Sequence, residues 1–128
     1  MKRAIPAIAL IVLIGVSFWY TVGGDGKKNN SFGAGTQPTI TSIGDIQKDP
    51  TKYLNHVVTV SGELSKECPS SGCWWYIKDR TGEIRADSAN SGFALPLHLQ
   101  GKNIRTTGKL VKTESGDLEL VASGAELI

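Results

Sequence analysis

The sequence predicts an all-β domain: a small closed barrel of five strands, preceded by two short helical turns and an apolar N-terminal segment long enough to span a membrane. Three observations carry this reading. After residue 56, glycine-punctuated stretches of alternating and β-branched residues recur about every ten positions, the spacing of a sandwich or barrel. Five strands in about 70 residues are too few for two good sheets, whereas closure into a barrel removes the exposed edges. At the N-terminus, residues 4–22 form a run of 19 residues without a charge.

The apolar run follows Met1-Lys2-Arg3, the charged start of an export signal, yet it exceeds the 7 to 15 residues usual for a cleaved one. As a helix it would reach about 28 Å, close to the hydrocarbon thickness of a bilayer. Phe18, Trp19 and Tyr20 cluster at its far end, where amphipathic rings favour the headgroup level. We therefore expect residues 1–22 to be a retained signal anchor, an N-terminal transmembrane helix in the cytoplasmic membrane. The competing reading is a signal cut after a small residue such as Gly24. The export pattern places the following domain on the periplasmic or extracellular side, although Lys27 and Lys28 balance Lys2 and Arg3 across the span.

Residues 23–38, GGDGKKNNSFGAGTQP, hold five glycines and little apolar content, so they are expected to be a flexible linker. The folding domain is then 39–128. Its charge argues against nucleic acid: from Thr39 onward 10 basic residues face 11 acidic ones, poor footing for releasing counterions from a phosphate backbone.

Within the domain, Ile40, Ile43, Ile46, Tyr53 and Leu54 lie on either side of the break Asp49-Pro50, which predicts one helical turn and then a second. Strands are predicted at 57–64, 74–78, 83–87, 103–112 and 118–122. The turns fall at CPSSG, DRTG, the long link 88–101 and ESGD. This order fits the OB barrel, a fold that often inserts a helix in the long link; Gly92 and Pro96 predict that helix to be short or absent here. Gly62 and Gly108, inside strand patterns, are expected to serve bulges or tight coiling, and Gly82 to supply a positive φ in its turn.

Over residues 40–128 a family likeness is visible. The runs IGDIQKDPTKYLNHVVTVSGEL, GCWWYIKDRTGEIRAD and LQGKNIRTTGKL resemble bacterial and archaeal OB domains of the tRNA-anticodon-like group, and small exported OB proteins with an equivalent Cys…Gly-Cys-Trp hairpin in particular. The resemblance implies the fold and is nearly silent about the ligand. In layout the chain is also similar to the haem chaperones of cytochrome c maturation, which join an N-terminal anchor to an outward-facing OB barrel. Those hold haem through a His or Cys with a Tyr four positions later, and neither His56 nor His98 is followed by such a Tyr.

Cys68 and Cys73 flank PSSG at the tip of the first hairpin, where strand pairing brings them within disulfide reach. Three readings compete. A structural disulfide that pins the hairpin is favoured for an exported domain. A redox-active pair is disfavoured because the spacing is not CxxC at a helix start. A metal or haem site needs more ligands than two sulfurs, so no metal and no cofactor is expected.

The run WWYIKD must send Trp75 and Ile77 to one face and Trp74, Tyr76 and Lys78 to the other. The D-x-T-G hairpin pattern turns Ile77 and Ile84 inward, which takes Trp75 in as well. Trp74, Tyr76, Lys78 and Arg85, beside Asp87, then form the candidate ligand or partner face, on the surface where OB barrels bind oligonucleotides or oligosaccharides. The alternative is that Trp74 packs on the cysteine bridge and Tyr76 lies under the helical turns or the long link. Lys109, Lys112, Glu114, Asp117 and Glu119 read as a solvated face. No pair of carboxylates stands out as acid and base, so no enzyme is expected. The expectation is a binding module, an accessory or docking subunit of a membrane or envelope protein complex. A redox, metal or haem-handling factor and a binder of single-stranded nucleic acid or oligosaccharide are the alternatives.

Overall fold

Alternation along the strands sorts the side chains into an inner and an outer set, and the sorting follows the sequence pattern. Trp75, Ile77, Ile84 and Ala86 are buried, as are Val58, Val60, Leu64, Ile104, Leu110 and Leu120. The computed structural model describes residues 30–128. The expected membrane segment and residues 23–29 of the linker lie outside the described residues; among the described ones no helix is long and apolar enough to cross a membrane.

The elements in order are β1 (Ser31–Gly33), α1 (Ile43–Lys48), α2 (Pro50–Tyr53), β2 (Val57–Glu67), β3 (Trp74–Lys78), β4 (Glu83–Asp87), β5 (Asn103–Lys112) and β6 (Leu118–Leu127). The sheet runs β1-β6-β4-β3-β2-β5, and β5 pairs again with β6, so strands β2 to β6 close into a five-stranded barrel. The β4–β6 seam is parallel, with Arg85 opposite Glu119 and Asp87 opposite Val121.

Two strands outrun their predicted ends, and a register shift accompanies each. β2 pairs first with β5 and then, beyond a shift between Leu64 and Lys66, continues along β3 to Glu67. One strand thus bends across two neighbours, which is what a bulge permits. In β6, Ala122 faces Gly108 and Gly124 faces Thr107, leaving Ser123 out of register before the strand runs on to Leu127. Gly108 is needed there for close approach, since a Cβ would come 2.7 Å from the Val121 carbonyl oxygen.

The end of the linker also departs from expectation. Ser31, Phe32 and Gly33 pair with Glu126, Ala125 and Gly124, adding a sixth strand at the end of β6 that β4 leaves free. The two linker glycines among the described residues, Gly33 and Gly35, lie at close approaches of the chain instead. A Cβ on Gly124 would run into the backbone of Gly35, and one on Gly33 would come within 2.8 Å of the Phe93 ring. Phe32 packs against the core, and the Gln37 amide donates to the Thr107 hydroxyl at 3.0 Å.

The two helical turns appear where predicted. Ser42 caps α1 by accepting from the Asp45 amide at 3.3 Å, and Pro50 opens α2. Helices this short are not stable alone; α1 is held by Ile43 and Ile46, both 0% exposed, each burial favourable by about 2 kcal/mol. A second tie comes from the β3–β4 turn. The Asp79 carboxylate accepts from the Ile43 amide at 2.9 Å, the Thr81 amide at 2.7 Å, the Thr81 hydroxyl at 2.6 Å and the Gly82 amide at 3.0 Å. Gly82 does not take the positive φ expected of it. It is small because α1 sits over it: a Cβ would come 3.1 Å from Ile43 Cγ2 and closer still to the Gln47 side chain.

The long link contains no helix. It contributes Leu95 and Leu99 to the core and sets Phe93 at 6.2 Å, centroid to centroid, from the ring of Trp75. Trp75 is 0% exposed and donates its indole N–H to the Thr106 hydroxyl at 3.1 Å. A buried indole without such a partner would carry a desolvation cost.

Candidate functional site

The outer side of the barrel wall around β3 carries a ladder of four side chains in register. Lys66 on β2 lies opposite Tyr76 on β3, Tyr76 opposite Arg85 on β4, and Arg85 opposite Glu119 on β6. Neighbouring strands stand about 4.8 Å apart, so such a row places each side chain against the next. Lys66 Nζ lies 5.3 Å from the centroid of the Tyr76 ring, and the Arg85 guanidinium lies 5.4 Å from that of Trp74. Trp74 and Tyr76, two residues apart on the same face, meet edge to face at 6.0 Å.

Arg85 is steered by two carboxylates, Glu119 at 3.0 Å and Asp87 at 3.4 Å. Its side chain is 35% exposed and that of Glu119 15%. The guanidinium plane is therefore fixed against an indole on a half-sheltered surface, with less rotamer freedom to lose when a further group arrives.

Of the four residues singled out in the sequence, three come together: Trp74, Tyr76 and Arg85. Lys78 stands apart, exposed at the end of β3 opposite Glu83 and Glu63. Two members of the ladder were missed. Lys66 lies beyond the predicted end of β2, so no face could be assigned to it. Glu119 was read as part of a solvated face, yet it bonds Arg85 across the parallel seam, a pairing that local spacing does not reveal. Trp74 and Tyr76 are half-buried by each other and by the cations beside them.

Alongside the ladder a groove of about 580 Å³ opens between the wall and the β5–β6 hairpin. Gln47, Tyr76, Glu83, Arg85, Asp117 and Glu119 are among its lining residues. The volume is in the range of small-ligand sites, but the groove carries three carboxylates to one guanidinium, and that guanidinium is already paired. Its surroundings repel anions. It can set a flat group against the Tyr76 ring and hold a cation against Glu83, Asp117 or Glu119.

The cysteines at the hairpin tip do not form the expected disulfide in the structure: both are free thiols. The Ser71 hydroxyl stands between them, 3.2 Å from Cys68 Sγ and 3.1 Å from Cys73 Sγ. Hydrogen bonding lowers the Cys68 thiol to about 5, chiefly through the Ser71 hydroxyl, then through the Ser70 amide and hydroxyl and the Ser71 amide, against a smaller upward push from burial. Among the described residues no cluster of three or more His, Cys, Asp or Glu could hold a metal ion.

No protein-family model matches the chain, and no curated protein does. Solved structures do. The hypothetical protein ygiW from E. coli superposes with a TM-score of 0.52 at 14% identity, over 70% of this chain and 90% of that one. An aspartyl-tRNA synthetase from Leishmania major superposes with a TM-score of 0.51 at 13% identity, over 73% of this chain; the match spans only 22% of the synthetase. The barrel is of the OB type. At such identities the likeness extends to the fold alone, and the ladder on β2, β3, β4 and β6 has to be interpreted from its own chemistry.

Proposed function

We propose that the protein is a non-catalytic binding module, anchored in the cytoplasmic membrane by residues 4–22, with its OB barrel outside, where it docks onto a membrane or envelope protein as an accessory subunit. The observation that carries this reading is the ladder together with the neighbouring Trp74: two outward aromatic rings, each with a cation against it, on the face OB barrels use for binding. Aromatic and arginine side chains in half-sheltered positions are the residue types that dominate protein interfaces. The carboxylates of the adjoining groove favour a partner segment carrying Lys or Arg. The same carboxylates, and a domain with no excess of positive charge, weigh against nucleic acid.

The test uses the full-length protein in its own membranes. A photoreactive phenylalanine analogue in place of Tyr76 is expected to give a protein adduct on irradiation. The same analogue in place of Lys109, exposed on β5, is expected to give none. No adduct from position 76, or equal adducts from both positions, contradicts the reading.

A further inference from the structure

The hairpin tip has a chemistry that the docking reading does not use. The loop from Cys68 to Cys73 is clamped at both ends: the Cys68 amide donates to the Trp74 carbonyl at 3.0 Å, and the Ser88 amide to the Cys73 carbonyl at 2.8 Å. A third bond runs from the Leu95 amide to the Gly72 carbonyl at 2.9 Å. These bonds hold the two sulfurs on either side of one hydroxyl, within about 6 Å of each other given the 3.2 Å and 3.1 Å contacts to Ser71.

A serine hydroxyl has one proton to donate. When Ser71 donates it to the sulfur of Cys68, its oxygen is left to accept, and the donor facing it is the thiol of Cys73. The two contacts alone would serve either sulfur equally; the further hydrogen bonds that Cys68 receives from the Ser70 hydroxyl and from the Ser70 and Ser71 amides make it the sulfur better suited to carry the negative charge. The lowered pKa of Cys68 agrees with that order. Although Cys68 is only 5% exposed, a groove of about 230 Å³ opens beside it, lined by Glu67, Pro69, Leu97, His98 and Gln100.

We propose that Cys68 and Cys73 form a thiol–disulfide exchange site, with Cys68 as the attacking sulfur, Cys73 as the resolving one, and an external disulfide of the glutathione type as substrate. The Cys68 thiolate attacks one sulfur of the substrate; the sulfur–sulfur bond of the substrate breaks, and one half leaves as a thiolate. Cys68 is then in a mixed disulfide. Cys73 gives its proton to the departed thiolate or to water, attacks the Cys68 sulfur and expels the second half. Two protein thiols are oxidised to one disulfide and one external disulfide is reduced to two thiols. Closing the bond brings the sulfurs to about 2 Å, so Ser71 must move out from between them. The loop next to Trp74 changes with redox state.

The experiment takes the full chain in mild detergent, reduced, and mixes it with oxidised glutathione; samples are quenched in acid and weighed intact. The wild type is expected to pass through a glutathione adduct to a closed form without adduct. Cys73→Ser should stop at a stable adduct on Cys68. The rate of adduct formation in the wild type should titrate near the value of about 5 given by the serine hydrogen bonds, and Ser71→Ala should move that titration upward by about one unit or more. A wild-type titration at the ordinary thiol value of about 8.5, or a wild-type adduct that never closes, overturns the proposal. So does a pair isolated as a disulfide that millimolar glutathione leaves intact, since that bond is structural.

Discussion

Trp74 and Trp75 are adjacent in the chain and have opposite fates. Trp75 is fully buried, with its N–H satisfied by Thr106 and its ring against Phe93. Trp74 faces outward, edge to face with Tyr76 and covered on one side by Arg85. Strand alternation alone separates them. Within β3, a residue type reports a role only once its face is known, and the inner and outer faces can be altered separately.

The largest expected effect lies on the inner face. Trp75→Ala leaves a cavity the size of an indole at the centre of the barrel and should cost about 4 kcal/mol in denaturant unfolding; a loss under about 1 kcal/mol would mean that Trp75 is not core. Next comes the tie between α1 and the β3–β4 turn. Asp79→Ala orphans the Ile43, Thr81 and Gly82 amides and should cost about 2 kcal/mol.

Asp79 also carries a pH signature. Partial burial pushes its carboxyl up, but the hydrogen bonds from Ile43, Thr81 and Gly82 outweigh that and hold it below its usual value. A carboxyl depressed in the folded state contributes stability in full above its unfolded value of about 4, and this is lost as pH falls through the folded value. The stability gap between wild type and Asp79→Ala should therefore be widest near neutrality and narrow below about pH 4; a gap that widens in acid would contradict the assignment.

The outer face should behave differently. Trp74→Ala removes no core packing and should cost less than about 1.5 kcal/mol, while removing most of the proposed docking surface. The smallest effect is at Arg85 and Glu119. A half-exposed ion pair couples by about 0.5 kcal/mol, so a double-mutant cycle in unfolding should return a small value that shrinks with added salt. A coupling that holds in high salt would point to a pair buried more deeply than the geometry indicates.

Much of the inner set was legible because periodicity is a local property: Trp75, Ile77 and Ile84 could be turned inward from a hairpin pattern of ten residues. Long-range pairings were not. The parallel seam that sets Glu119 against Arg85 and the strand at Ser31–Gly33 depend on residues far apart in the chain, while the bulge that carries β2 on to Lys66 is local but breaks the alternation by which a strand is read. A glycine-rich stretch has the same composition whether it floats or threads a narrow gap. The gap appears only where Gly35 meets Gly124. The disulfide was expected from the placing of both cysteines at one hairpin tip, whereas both thiols are free; what lies between the sulfurs, the Ser71 hydroxyl, depends on a rotamer that spacing does not encode.

The central claim, that the outward half of β3 is a docking surface separable from the core, meets its most direct test in native separation of the full-length protein extracted from its membranes with mild detergent. Trp74→Ala and the wild type would be run side by side, with the unfolding midpoint of each recorded. The account predicts that the wild type migrates with a defined set of membrane proteins, while Trp74→Ala, still folded, migrates alone. If the wild type migrates alone, or if folded Trp74→Ala keeps the same companions, the claim is wrong.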